Sequence, residues 1–223
     1  MTGLPMVWGG GGVEEVLGGT SEPSAAYRTL AARFRVAAID RLAPEAMPKT
    51  LPGTLGAAPL LLVQPRALAP EELAAFDAWV RGGGSVLILA DPMLRRGGPY
   101  RPGDPRAPPP MTLLDPLFAH WGLVLDLPTA DPGERIERFG ATANGRRGTL
   151  VTDAAGRWRV TAGTCRVEAG GVIARCRLGA GRAILVADAD LVDDSLWEAE
   201  AGGDNAALLT GWIDELERGA AAR

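Results

Sequence analysis

The sequence predicts an α/β fold, a mostly parallel sheet of roughly five strands with helices on both faces and a late antiparallel β-hairpin insertion. Three observations predict it. Continuous apolar runs at Leu60-Leu61-Leu62-Val63, Val86-Leu87-Ile88-Leu89-Ala90 and Ala183-Ile184-Leu185-Val186-Ala187 suit strands covered on both faces. A helix-period segment with start and stop signals lies between the first two runs. From about residue 133 to 178 the pattern changes to short period-2 stretches broken by Asn144-Gly145, Ala155-Gly156 and Gly170-Gly171, the mark of hairpins. With 223 residues the chain is read as one domain, 1–223, carrying 133–178 as an insertion.

Taken in order, residues 4–8 read as a buried strand, followed by Gly9 to Gly12. Residues 24–33 read as a helix with Ser24 as its cap, and Phe34 to Ile39 as a second strand. A Pro-rich connection, 41–57, leads to the strand at 60–63. Pro70 then opens a helix, Glu71 and Glu72 favour its positive end, and Gly82-Gly83-Gly84 stop it. The strand at 85–90 completes a βαβ unit, which crosses over right-handed. Residues 93–110, with Pro108-Pro109-Pro110, admit no regular element and form a long excursion. Thr112-Leu113-Leu114-Asp115 has capping-box form and opens a helix to Trp121, with Pro116 in its first turn. Gly122 stops it before a short strand at 123–125. After the insertion comes the strand at 183–187, an acidic loop over 191–203, and a last helix. Asp204 caps that helix, and Leu208, Leu209, Trp212, Ile213 and Leu216 form its apolar stripe.

Composition excludes several functions. One His and two Cys rule out multi-His and Cys₄ zinc sites, and a His-dependent triad has only His120 to use. The formal net charge of −4 argues against nucleic acid as a partner. Basic charge is almost all Arg, with Lys49 the only Lys. No apolar run reaches the roughly 18 residues of a membrane span, and no signal peptide precedes Leu4. Gly9 to Gly12 lacks the Lys-Ser/Thr of a phosphate loop, and Glu14 and Glu15 put negative charge where phosphate would sit. No cofactor is expected. With Gly170-Gly171 as a two-residue turn, Cys165 and Cys176 face each other. They are either two small buried apolar residues or a cross-strand disulfide, the latter implying an oxidising compartment. Counting from the turn makes them a hydrogen-bonded pair, with Cα atoms about 5.5 Å apart.

Leu60 to Arg66, Ala69 to Leu73, Phe76 to Gly84, Val86 to Pro92, Leu113 to Leu117 with His120-Trp121-Gly122-Leu123, Gly181-Arg182 with Ala187-Asp188, and Asp204-Asn205 with Trp212 follow one another as in GldG-like proteins. The chain resembles these auxiliary components of bacterial ABC-type transport systems over most of residues 58–216. Their domain, the GIFT domain, also occurs in an intraflagellar-transport subunit. The resemblance implies a three-layer, flavodoxin-like or class I glutamine amidotransferase-like fold without the amidotransferase nucleophile. It also implies a protein partner in a membrane transport complex, and a periplasmic or membrane-associated setting if an N-terminal segment has been removed. The residues agree on the missing nucleophile: Ala90-Asp91-Pro92-Met93 offers neither Cys nor Ser at the strand end.

The candidate site lies at the carboxyl ends of the parallel strands, where open α/β sheets bind ligands. Trp8, Gln64, Asp91, Asp188 and Asp190 are expected to line it. Asp188, Asp190, Asp193 and Asp194 form an acidic cluster that reads first as helix capping and solvated loop positions, with Mg²⁺ or Ca²⁺ as the alternative. Trp79, Trp121 and Trp212 read as packing residues, and Trp8 and Trp197 as partner anchors. The expected function is a non-catalytic soluble interaction or ligand-binding domain. The alternatives are a metal-dependent hydrolase using the acidic cluster and a carbohydrate-binding module.

Overall fold

The computed structural model describes residues 1–7, 18, 22–48, 58–98, 100, 104, 107–128, 136–197 and 202–221. The order of elements is α1 (Ala25–Arg33), β1 (Leu60–Val63), α2 (Pro70–Arg81), β2 (Ser85–Leu89), α3 (Asp115–His120), β3 (Leu123–Asp126), β4 (Ile136–Ala143), β5 (Arg146–Asp153), β6 (Arg157–Val160), β7 (Arg166–Glu168), β8 (Ile173–Leu178), β9 (Gly181–Val186) and α4 (Asn205–Ala221). The main sheet runs β1-β2-β9-β8-β7. β1, β2 and β9 are parallel, whereas β8 and β7 add to it antiparallel. β3 pairs with β6, and β4 with β5, as separate two-stranded ribbons.

Alternation along the central strands feeds two cores. Leu87 and Leu89 of β2 and Ile184 and Val186 of β9 pack with Ala26 and Leu30 of α1 and Leu209, Trp212 and Leu216 of α4. Val86 and Ile88, with Ala183 and Leu185, pack with Phe76 and Val80 of α2 and Leu117 and Phe118 of α3. Each fully buried large side chain here contributes about 1.5–3 kcal/mol.

The helix at 70–81 stands as its signals indicate. Glu72 reaches back so that its carboxylate accepts from Ala69 N at 3.1 Å and from Leu42 N at 3.2 Å, which caps α2 and ties down the preceding connection. Gly181 opens β9 because only a glycine fits: a Cβ there would stand 1.8 Å from Val80 O. Ser24 Oγ accepts from Tyr27 N, the cap expected for α1.

Several expectations are corrected. Residues 4–7 form turns, and Trp8 is outside the described residues; the chain meets the sheet earlier, through a parallel bridge from Thr2 to Val63. Met1 O accepts from Val63 N, and Gly3 N donates to Val63 O. That occupies the outer edge of β1, so the segment 34–39 has no strand to join and runs as an irregular, mostly exposed stretch. α3 starts at Asp115, not at Thr112: Pro116 has no N–H to donate back to Thr112 O and so belongs in the first turn, while Thr112 N donates to Asp91 O at 2.6 Å. The strands of segment 133–178 are divided among three sheets: β7 and β8 extend the main sheet, β6 pairs with β3, and β4 and β5 form a ribbon of their own. Asp204 Oδ2 accepts from Thr149 N at 2.7 Å, tying the start of α4 to β5.

Cys165 and Cys176 form a disulfide with Cα atoms 4.1 Å apart. The register that pairs Arg166 with Arg175 and Glu168 with Ile173 is the one the Gly170-Gly171 turn predicts. The Cα atoms stand closer than counting from the turn predicts.

Candidate functional site at the strand ends

The three parallel strands end side by side, and each is followed at once by a buried polar residue. Gln64 follows β1, Asp91 lies two residues beyond β2, and Asp188 two beyond β9. Asp190 opens a short 3₁₀ turn, Asp190–Val192. Gln64, Asp91 and Asp188 are fully buried and Asp190 is 1 % exposed. Buried polar groups must be satisfied inside the protein, and these are, almost wholly by main chain.

Gln64 Oε1 accepts from Asp91 N at 2.9 Å, and Nε2 donates to Asp91 O and to Pro109 O, both at 3.1 Å. Asp91 Oδ1 accepts from Met93 N at 2.7 Å and Oδ2 from Ala189 N at 3.1 Å. Asp188 Oδ2 accepts from Asp153 N at 2.8 Å and Oδ1 from Leu191 N at 2.6 Å. Asp190 holds the excursion after β2: its two oxygens accept from Arg95 N at 2.9 Å and Arg96 N at 2.7 Å. The four side chains thus pin the loops after β1, β2, β5 and β9 to one another.

Two arginines and a further aspartate complete the cluster. Arg96 Nε donates to Asp153 Oδ2 at 2.9 Å and its Nη1 to Ser195 Oγ at 2.8 Å. Arg95 Nε stands 3.7 Å from Asp153 Oδ1. The sequence reading missed Asp153, Arg95 and Arg96. Asp153 ends a strand that pairs only with β4, and the arginines sit in an irregular loop, so no local pattern connects them to the strand ends.

Burial sets the electrostatics. It pushes Asp91 up to about 6, against the pull of the N–H groups of Met93 and Ala189 and with a further push from Asp153. It pushes Asp190 up to about 7, with the charge on Asp91 adding to the effect. Asp188 is driven well above the usual carboxylate range, by burial first and then by Asp91 and Asp190. Three carboxyls in so dry a place titrate as a coupled set.

Asp91, Asp188 and Asp190 therefore come together with Gln64 as expected, but as a closed cluster whose oxygens face N–H groups. Among the described residues no group of three potential ligands is arranged to hold a metal ion. Trp8 lies outside the described residues. Asp193 and Asp194 lie at the cluster's margin: Asp193 Oδ1 accepts from Ser195 N and stands 3.7 Å from Arg96 Nη1, and Asp194 Oδ1 accepts from Ala25 N at the start of α1. Trp197 is half-buried, with its indole N–H on Leu191 O at 2.7 Å, which makes it a packing residue and not the exposed anchor expected. His120 sits at the end of α3, 3.4 Å from Asp77. Beyond Gln64, whose Nε2 donates to Pro109 O, a concavity of about 440 Å³ is lined by Arg66, Pro108, Pro109, Pro110 and Leu113.

No curated protein sequence matches the chain significantly. Among solved structures it is similar to the mmIFT52 N-terminal domain, with 15% identity, a TM-score of 0.51, and 85% of this chain and 88% of that one covered. It is also similar to a β-galactosidase from Rahnella sp. R3, with 13% identity, a TM-score of 0.51 and 86% of this chain covered. An exo-β-1,4-mannosidase, Op5Man5 from Opitutaceae bacterium strain TAV5, aligns more loosely, at 16% identity and a TM-score of 0.46 over 75% of this chain. The chain spans about a quarter of the length of these two glycosidases, 26% and 27%. Identities this low speak to the fold alone. Among the described residues no helix is long and apolar enough to cross a membrane. A family described as an ABC-type uncharacterized transport system matches residues 6–126. That match takes in more than half of the sequence, β1, β2 and the loops that follow these two strands included, and the chain belongs to this family of ABC-transport auxiliary proteins.

Proposed function

We propose that the chain is a non-catalytic interaction domain of an ABC-type transport system, GldG-like and built on the GIFT domain, that binds a protein partner of the membrane complex. The family supplies the transport system. The closure of the strand ends carries the rest. An enzyme of the amidotransferase-like fold needs a nucleophile and a base at this edge. Here the position after β2 is Asp91, fully buried, with both carboxylate oxygens engaged by main-chain N–H groups. The two cysteines are bonded to each other, and the one histidine pairs with Asp77 at a helix end. Gln64, Asp91, Asp188 and Asp190 then serve as positioning residues that present the loops above them, where the Pro108-Pro109-Pro110 segment lines the outer surface. The Cys165–Cys176 bond favours an oxidising compartment such as the periplasm.

Co-expression of the full chain with the ATPase and permease subunits of an ABC-type transport system tests this reading. The chain should be recovered with them at a constant ratio, and alone it should not hydrolyse nitrophenyl esters, phosphates or glycosides with or without Mg²⁺ or Mn²⁺. A monomeric chain recovered with neither subunit overturns the interaction role. Metal-dependent turnover abolished by Asp188→Ala overturns the non-catalytic one.

A further inference from the structure

At the end of the main sheet opposite the buried cluster, β7, β8 and the start of β9 meet the last turns of α4 around an open groove of about 1220 Å³. Directly paired residues of antiparallel strands share a face, as do alternate residues of one strand. The pairs Arg166 with Arg175, Arg175 with Ile184, and Arg177 with Arg182 therefore put four arginines on one face. It is the face of α4, since Ile184 packs in the same core as Leu216 and Arg175 pairs with Glu215.

Against these four the groove presents two carboxylates, Glu168 and Glu215, and both are held by Arg175. Arg175 also donates to Thr142 O at 2.7 Å, so it is consumed in building the wall. Arg166 and Arg177 are exposed, and among the described residues neither guanidinium has an ion-pair partner. They stand diagonally across the β7–β8 pair, at a Cα spacing of about 7–8 Å, close to the roughly 7 Å between alternate side chains of an extended peptide. A chain with 27 acidic and 23 basic residues thus concentrates a net positive charge in this groove.

We propose that this groove binds an extended acidic segment of a protein partner, two of whose carboxylates, spaced two residues apart, are taken by Arg166 and Arg177. A planar guanidinium matches a carboxylate with two parallel hydrogen bonds, and a concave strip between a sheet face and a helix end admits a strand. The overall negative charge of the chain disfavours nucleic acid, and a recessed patch disfavours a flat lipid surface. The inference deepens the interaction role by naming the partner's chemistry, and it rests on that role.

The probe is a fluorescein-labelled peptide, Glu-Val-Glu-Val-Glu-Val, titrated with the whole chain in 50 mM salt and read by anisotropy. Binding should weaken at least tenfold in Arg166→Glu/Arg177→Glu and about threefold or more in the milder Arg166→Gln/Arg177→Gln. It should also weaken with added salt, and should be unchanged in Arg28→Glu on α1. Thermal unfolding of each variant confirms folding, and the milder pair decides the matter if the charge reversal does not fold. Absence of binding by the wild type, or equal binding by the double variants, overturns the groove. Tighter arginine-dependent binding to phosphatidylserine vesicles or to a DNA duplex than to the peptide overturns the choice of partner. A wild-type chain that ignores the peptide yet still co-purifies with the transport subunits overturns the groove alone and leaves the interaction role standing.

Discussion

Gln64 and Asp91 hold each other across the ends of adjacent parallel strands, the glutamine amide accepting from Asp91 N at 2.9 Å and donating to Asp91 O at 3.1 Å. This reciprocal pair continues the β1–β2 ladder by one further step through a side chain. Gln64 occupies a backbone conformation with φ of 40°, which turns the chain away from the sheet while the side chain stays behind. Replacing it by Glu removes the donor and aims a carboxylate at two carbonyl oxygens, Asp91 O and Pro109 O. Gln64→Glu should cost about 2–4 kcal/mol, more than Gln64→Ala, because Asp91 N serves only one of the two buried carboxylate oxygens and the other meets two carbonyls without a donor. Urea unfolding of the two variants checks the order, and an equal or smaller loss in Gln64→Glu contradicts the pairing.

Asp190 makes the stability of the fold depend on pH. Its carboxyl titrates near 7 in the folded protein, against about 4 in an unfolded chain. Between those values the folded state binds more protons, so this contribution is complete below about pH 4 and is lost as pH rises through 7. Asp91, at about 6, acts in the same direction. Asp190→Asn should lower stability at pH 4, since the amide offers one acceptor to the two N–H groups of Arg95 and Arg96. It should also flatten the decline from pH 4 to 8, whose slope is at most about 1.4 kcal/mol per pH unit for each group. Melting curves at four pH values would show an unchanged slope if Asp190 were not the titrating group.

Arg96 neutralises the one aspartate of the cluster that meets side-chain cations. The Asp153 side chain is 4% exposed and that of Arg96 is 30% exposed. Arg96→Met leaves Asp153 with Arg95 at 3.7 Å as its remaining cation. A loss of about 2–4 kcal/mol is expected, at the lower end of what breaking a buried pair costs because Arg96 is partly solvated. Asp153→Asn added to Arg96→Met should recover part of the loss. A strictly additive double-mutant cycle would contradict the coupling.

The Cys165–Cys176 bond closes a loop of sequence separation 11. Loop-closure entropy for a ring of this size is worth about 2–3 kcal/mol, and a dithiothreitol-treated sample should unfold correspondingly earlier. A thiol titration in guanidinium should find no free thiol in protein purified from an oxidising compartment. Two free thiols there would contradict the bond.

Much of this fold is legible in the residues. Leu60 to Val63, Ser85 to Leu89 and the run ending at Val186 are unbroken apolar stretches, and only strands covered on both faces use such stretches. Pro70, Glu71 and Glu72 at one end and Gly82 at the other delimit α2 because helix termini have fixed chemical needs. Phe34 to Ile39 misleads because a strand needs an edge to pair with, and the residues around Thr2 have taken the free edge of β1.

The candidate site divides in the same way. The sequence by itself determined which residues follow the parallel strands, because strand ends are set by local pattern, and so it determined that Gln64, Asp91 and Asp188 would meet at one edge. It also determined the Cys165–Cys176 register, since a turn fixes the pairing on both sides of it. Only the tertiary structure decided that these polar groups face inward onto main-chain N–H groups and that Asp153 and Arg96 join them. It likewise placed Arg166 and Arg177 on the α4 face of the sheet. Burial and facing depend on which surfaces pack together, and those contacts join residues as many as 99 positions apart that no local periodicity records.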